Sequence, residues 1–403
     1  MLQRPYTILC IASEPKGFPF IRECKQQGCR VLALMTEEKK HEQWPWESID
    51  EHFVMSNLSK QPDITHAISY VMRGQKIDCI QALDDYDVAT AASLREHLRI
   101  PGMGETTARH FRDKLAMRVQ ARDEGMLVPP FTAVFNYDDL RAYMADVPAP
   151  WVLKPRFEAG AIGIRKLHDS EQVWRALDEL GDQQSFYLLE KFVPGDVYHV
   201  DALIWGGELV FAMSSKYGLP PLAVSHGGGI FTTRALPWDG EEATTLRQLT
   251  GELMQKLRLP RGVSHTEFIR GHEDGRFYFL ETAARVGGAN IDRMVQAATG
   301  IELWQEAARI ELASLRGEAY IAPNYRREYA GLLTCLSRQE YSDLSAYNDP
   351  EVMWRVPKAH HAGLLIASWN QERIEQLITS YAERFAQDFL TTAPPKSDVR
   401  TTF

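Results

Sequence analysis

The chain has 403 residues, more than one hydrophobic core normally covers, so about two to four packed units are expected. Hydrophobic residues at 44% and charged ones at 25% fit an ordinary globular protein, and a net charge of −9 argues against a general nucleic-acid binder, which would carry a basic face. The five cysteines (Cys10, Cys24, Cys29, Cys79 and Cys335) are odd in number and lack a CxxC pair, which argues against a disulfide frame or zinc site and for reduced thiols in the cytoplasm.

The first apolar run, YTILCIAS, is too short for a signal peptide and reads as a strand. Nowhere do about eighteen apolar residues run together, as a membrane span requires. Helix PFIRECKQQG, strand CRVLALM, helix HAISYVMRG, strand DCIQAL and helix YDVATAASLREHLR follow, and this alternation predicts a parallel α/β domain over 1–104. Gly102 and Gly104 in PGMGETT have neither a third glycine nor a preceding strand, so the dinucleotide fingerprint is absent. TARHFRDKLAMRVQARDEG predicts one helix ending near Gly125, within a linker over 105–130.

Helix YDDLRAYMADV, the strand from Trp151, helix SEQVWRALDEL and strand SFYLLEKFV make a first lobe over about 131–194. A second, over about 195–324, holds the hairpin YHVDALIWGGELVFAMSS, the loop KYGLPPLAVSHGGGIFTTRALP, helix EATTLRQLTGELMQKL and another hairpin. AGLLTCLS, AGLLIASW and helix QERIEQLITSYAERF form a small α+β unit over 325–403, ending in a loosely held tail, TTAPPKSDVRTTF.

Two stretches carry chemistry. In WVLKPRFEAGAIGIRKL an apolar strand ends in Lys154 before a loop with Gly160 and Gly163. Such a lysine usually lays its stem on the core and its ammonium in water, but under a glycine-bearing flap it also suits a phosphate. In GVSHTEFIRGHEDGRFYFLETAARVGG, a three-residue loop Glu273–Gly275 with His272 facing Arg276 would put Glu267 opposite Glu281 on one sheet face. Like charges so placed repel, and a protonated carboxyl, an arginine such as Arg285 or a divalent cation must compensate them. His265 reads as a core histidine, and His360-His361 as structural because strand neighbours point to opposite faces. P-loop, H-E-x-x-H, G-x-S-x-G, EF-hand and kinase motifs are absent.

Lys114 in DK, Lys154 in LKP, Glu190 in LLEKFVPG, Glu267 in HTEF, and Glu281 with Arg285 in LETAARVGG stand in an order and spacing that resembles the ATP-grasp superfamily over nearly the whole chain. The resemblance implies an α/β fold of the α+β ATP-grasp type: a pre-ATP-grasp domain, a two-lobed core over 131–324 holding ATP, and a small closing domain. It implies that Lys114, Lys154 and the loop with Gly160 and Gly163 meet the phosphates, and that Glu190, Lys191, Phe192 and Val193 form the hinge strand against adenine. It further implies that Glu267 and Glu281 hold Mg²⁺, with Mn²⁺ as substitute, and that Arg285 stands beside a reacting acyl phosphate.

Two positions depart from the pattern: Ala283 replaces a usual asparagine metal ligand, and Val197 an acidic ribose contact, with Asp196 and Asp201 nearby as substitutes. The ETAARVGG form is most similar to the carboxylate–amine ligase branch, the L-amino acid ligase-like members. That implies an ADP-forming carbon–nitrogen ligase that joins an amino acid or similar small acid to an amine through an acyl phosphate. The acid would lie between Arg285, Gly288 and the loop holding Lys216, Tyr217 and His226. Small-molecule partners, no nucleic acid, no membrane and a homodimer are expected. The alternatives are an ATP-grasp carboxylase or purine-type ligase, and a non-catalytic ATP-binding sensor favoured by Ala283 and Val197.

Overall fold

The computed structural model describes residues 4–392, and the tail expectation falls, from residue 393 on, outside the described residues. Strands β1 (Thr7–Ala12), β2 (Arg30–Thr36), β3 (Glu51–Met55) and β4 (Cys79–Ala82) form a parallel sheet in the order β3-β2-β1-β4. Buried on both faces, β1 and β2 read as continuous apolar runs, whereas the edge strand β3 is half exposed and has no such signal. The chain order reverses between β1 and β4, so their carboxyl ends flank a crevice of the kind that holds ligands in open α/β sheets.

The single linker helix expected from the sequence is two helices, Glu105–Arg112 and Lys114–Asp123. Asp113 breaks them with an extended backbone, its carboxylate accepting from the Leu115 and Ala116 amides at 3.1 and 3.4 Å. Arg156 donates its Nε to the same carboxylate at 2.8 Å, which ties the break to the next lobe.

That lobe is an antiparallel sheet of β5 (Phe131–Ala133), β6 (Trp151–Pro155), β7 (Arg165–Leu167) and β8 (Tyr187–Lys191), ordered β5-β8-β6-β7. Helices Tyr137–Asp146 and Ser170–Leu180 cover one face over a core of Trp151, Leu153, Val173, Leu177 and Leu189.

The remaining strands are β9 (Gly195–Trp205), β10 (Glu208–Tyr217), β11 (Phe231–Ala235), β12 (Arg261–Gly271), β13 (Phe277–Ala283), β14 (Tyr329–Leu336), β15 (Val352–Arg355) and β16 (His361–Ser368). They form one sheet ordered β13-β12-β9-β10-β11-β14-β16-β15. Read from the sequence as part of a loop, β11 pairs with β14, so the sheet runs unbroken into residues beyond 325, where a separate unit is expected. Even-numbered residues of β9, such as Val200, Ala202 and Ile204, pack under helix Glu241–Lys256. Leu203 on the other face meets the layer of helices Ile291–Thr299 and Leu303–Arg316. No helix among the described residues is long and apolar enough to cross a membrane, and all five cysteines are buried and unpaired.

Candidate active site

A cavity of about 370 Å³ opens between the lobe sheet and the long sheet, with Asp85 and Arg112 of the N-terminal region in its wall. The odd-numbered face of β12 supplies His265, Glu267 and Ile269, and β13 supplies Glu281 and Ala283. Glu267 does stand opposite Glu281, but through two irregularities that cancel. The turn is one residue longer than expected, with the Gly271 amide bonded to the Arg276 carbonyl, and Arg270 therefore pairs with Phe277. A bulge at Leu280 then shifts the register back before Glu267.

The compensating cation is Lys114 rather than Arg285. Its Nζ lies 3.0 Å from Oε2 of Glu281 and also donates to the Glu158 carbonyl, because the Asp113 break starts the second helix with this residue pointing into the cavity. Burial alone would push the Glu281 carboxyl up, but Lys114, Lys154 and Arg118 together hold it below its ordinary range. Across the pair, Tyr217 donates its hydroxyl to Oε1 of Glu267 at 2.7 Å, and His265 Nε2 stands 3.6 Å from the same oxygen. Burial and then Glu267 raise the Tyr217 phenol far above its usual value, so it stays a donor. One oxygen of each glutamate is thus engaged, and both residues line the cavity.

Lys154 neither snorkels to water nor stands free. Its Nζ is 2.5 Å from Oε1 of the buried Glu190, whose Oε2 accepts from Arg118 Nε at 2.6 Å. Burial disfavours the Glu190 charge, but Arg118 and Lys154 outweigh it and keep its pKa low. Arg285, just past β13, donates Nη1 to the Val286 carbonyl at 2.8 Å and holds Nε 3.6 Å from Oδ1 of Asp85.

Beside Glu267 the same sheet face carries a closed array. Asp201 accepts from His199 Nδ1 at 2.8 Å through one oxygen and from His265 Nδ1 at 2.9 Å through the other, and His199 Nε2 reaches Thr233 Oγ1 at 2.7 Å. The three side chains are near enough to gather a metal ion, yet Asp201 and His199 are fully buried and both Asp201 oxygens are taken. Burial would lower the His265 pKa, but Asp201 raises it to about 9. Gly287 seals the array, since a Cβ there would stand 2.6 Å from Asp201 Oδ1.

Gly160, Lys191, Phe192, Val193 and Gly288 join the cavity wall, as do Val197 and Ala283. Gly163, Asp196, Lys216 and His226 lie off it. Strand alternation explains Lys216: its neighbour Tyr217 faces the cavity, and Lys216 turns away to pair with Asp196 at 2.8 Å. His226 is exposed at the end of helix Pro221–Gly227. Asp201 is no ribose substitute, because the two histidines close it off. Sequence reading missed Asp85, Arg118 and His199; the acid-rich DDYD directly after β4 was the available signal for the first.

No family model matches the chain. It is 26% identical over 271 residues to the L-arginine-specific L-amino acid ligase of Bacillus subtilis, which covers 65% of this chain and 64% of the relative, so the chain spans less than two thirds of that protein's length. Among solved structures, the L-amino acid ligase of Bacillus licheniformis superposes with a TM-score of 0.75 at 16% identity, over 97% of this chain and 100% of that one. The biotin carboxylase domain of the Hydrogenobacter thermophilus 2-oxoglutarate carboxylase, solved with MgADP, ADP and bicarbonate, gives 0.67 at 16% identity over 97% and 91%. The chain is thus similar in sequence to an L-amino acid ligase and shares the fold of these ligases and carboxylases.

Proposed function

We propose that the chain is an ADP-forming ligase that uses ATP to join a small carboxylic acid to an amine. The observation that carries this is the opposed pair Glu267 and Glu281, both lining a cavity that also receives Lys114, Lys154 and Arg285. Two carboxylates beside a phosphate site suit Mg²⁺, which takes oxygen ligands and shares them with substrate phosphates. The similarity to an L-amino acid ligase supports the reaction class, and the MgADP-bound neighbour supports the nucleotide and metal. Bound there, Mg²⁺ would offset charge on the β- and γ-phosphates.

Lys114 and Lys154, aimed by Glu281 and Glu190, would hold the phosphates, with adenine against Lys191 to Val193. The loop from Phe157 to Gly163, where Ala161 holds a left-handed φ of 63°, would cover them and exclude water. The substrate carboxylate oxygen attacks the γ-phosphorus, the bond to the β-phosphate bridge breaks and ADP departs. The amine then attacks the acyl carbon, the bond to phosphate breaks, and the amine proton leaves with the phosphate. Arg285 stabilises charge developing on the acyl oxygen.

We take 1–104, 105–130, 131–324 and 325–403 as the N-terminal domain, linker, ATP-grasp core and closing unit. The unpaired buried thiols support a cytoplasmic setting, the net charge of −9 supports small-molecule partners, and the homodimer we infer is tested by light scattering. The functional test is ADP release in magnesium over amino-acid pairs, bicarbonate and nucleotide intermediates. Oxygen-18 in the acid's carboxylate is expected in released phosphate; AMP and pyrophosphate as products would overturn the scheme.

A further inference from the structure

Two cations stand a turn apart on one face of helix Lys114–Asp123, and each answers a carboxylate on a different sheet. Lys114 meets Glu281 on β13, and Arg118 donates Nε to Oε2 of Glu190 on β8 at 2.6 Å. Lys154 stands diagonal to Glu190 on the neighbouring strand β6, two residues past its partner Val152, and holds the other carboxylate oxygen. Glu190 therefore carries two cations, and they differ in access. Lys154 lines the cavity, whereas Arg118 is fully buried off it, with its Cζ 5.5 Å from the centroid of the Phe279 ring. Nη1 of Arg118 has no hydrogen-bond partner among the described residues, so the guanidinium is not held there by a full set of bonds. Burial works against the Glu190 charge, and of the two cations that offset it Arg118 acts more strongly.

One cation would suffice to neutralise Glu190, and taking a second out of water is costly unless something uses it. A phosphate in the cavity competes with Glu190 for the Lys154 ammonium, and a buried carboxylate stripped of its only counter-ion would oppose that transfer. Glu281 differs, because it belongs to the candidate metal pair and a divalent cation would take the place of Lys114 there. Glu190 has no such substitute. Resting on the ligase reading above, we propose that Arg118 is a positioning residue acting through Glu190: it keeps this carboxylate paired while Lys154 turns to the phosphates of the bound nucleotide. The triad thus sets phosphate affinity without any contact between Arg118 and ATP.

The test is binding by the full chain of ATP with magnesium, read by calorimetry, beside binding of adenosine, read by saturation-transfer NMR. Arg118→Met keeps an apolar body against Phe279; it should weaken ATP roughly ten-fold or more, the scale of a charged hydrogen bond, and leave adenosine within about two-fold. Arg118→Lys returns the charge and should bring ATP back to within about three-fold of the unaltered protein. Equal loss of ATP and adenosine would mean that Arg118 only holds the hinge strand in place, and would overturn the inference. Unchanged ATP affinity in Arg118→Met would do the same, and in both cases the ligase reading stands. No ATP binding by the unaltered chain would remove both. Should Arg118→Met fail to fold, Arg118→Gln keeps a donor for Oε2 without the charge: loss of ATP but not adenosine is expected, and unchanged ATP affinity would overturn the inference equally.

Discussion

Asp201 and Glu267 sit on the same face of one sheet, on neighbouring strands, and both approach His265. Around Asp201 every acceptor is matched by a histidine, Gly287 leaves no room, and the group is sealed. Around Glu267 the partners are a tyrosine and a facing glutamate, and the space beyond is open. The difference teaches that nearness of ligand-type side chains does not make a site. Access and the count of unspent lone pairs do, and by those measures the Asp201 array is closed while the glutamate pair is the candidate site.

The sharpest way to break this contrast is Asp201→Asn, which takes its nearest counter-ion from the half-buried His265 cation. Loss of one partner of a buried pair should cost about 3–5 kcal/mol, read as a large drop in melting temperature, with or without magnesium. A change of less than about 1 kcal/mol would mean that the array is not holding the sheet together.

Protonation sharpens it next. Because the His265 pKa rises from 6.5 to about 9 on folding, its contribution is fully present below pH 6.5 and is lost as pH climbs to about 9. Denaturant unfolding across that window should show stability falling by on the order of 3 kcal/mol, and His265→Gln should flatten that slope. Gly287→Ala comes third: its methyl would press on Asp201 and His265 Nδ1, for an expected cost of about 1–3 kcal/mol. Smallest is Tyr217→Phe on the open side, where losing one hydrogen bond should cost about 1 kcal/mol while cavity-facing Glu267 is left to water.

That these residues share one cavity was legible because they lie at element ends with fixed spacing: Lys154 after an apolar strand, Glu267 and Glu281 around one turn. The register came out right for a reason that counting cannot reveal, since the longer turn and the Leu280 bulge cancel. Partners distant in sequence stayed hidden. Nothing near Lys154 announces Glu190, and nothing near Asp201 announces His265. The Asp113 break was readable in principle, as an aspartate ahead of a helical run is a cap signal. β11 was not, because the glycines and prolines before it mask a short strand whose pairing with β14 is decided by tertiary contact.

The most direct measurement is magnesium-dependent ADP release by Glu281→Gln, taken beside its melting temperature in chelator. Glu281 is about one third exposed and its Lys114 partner keeps the Glu158 carbonyl, so the fold should lose no more than about 1 kcal/mol. Turnover should fall on the order of 100-fold or more, the scale of losing a group that offsets charge in the transition state. A protein that melts early but turns over normally while folded would contradict the account, and would make the glutamate pair scaffold like its neighbour.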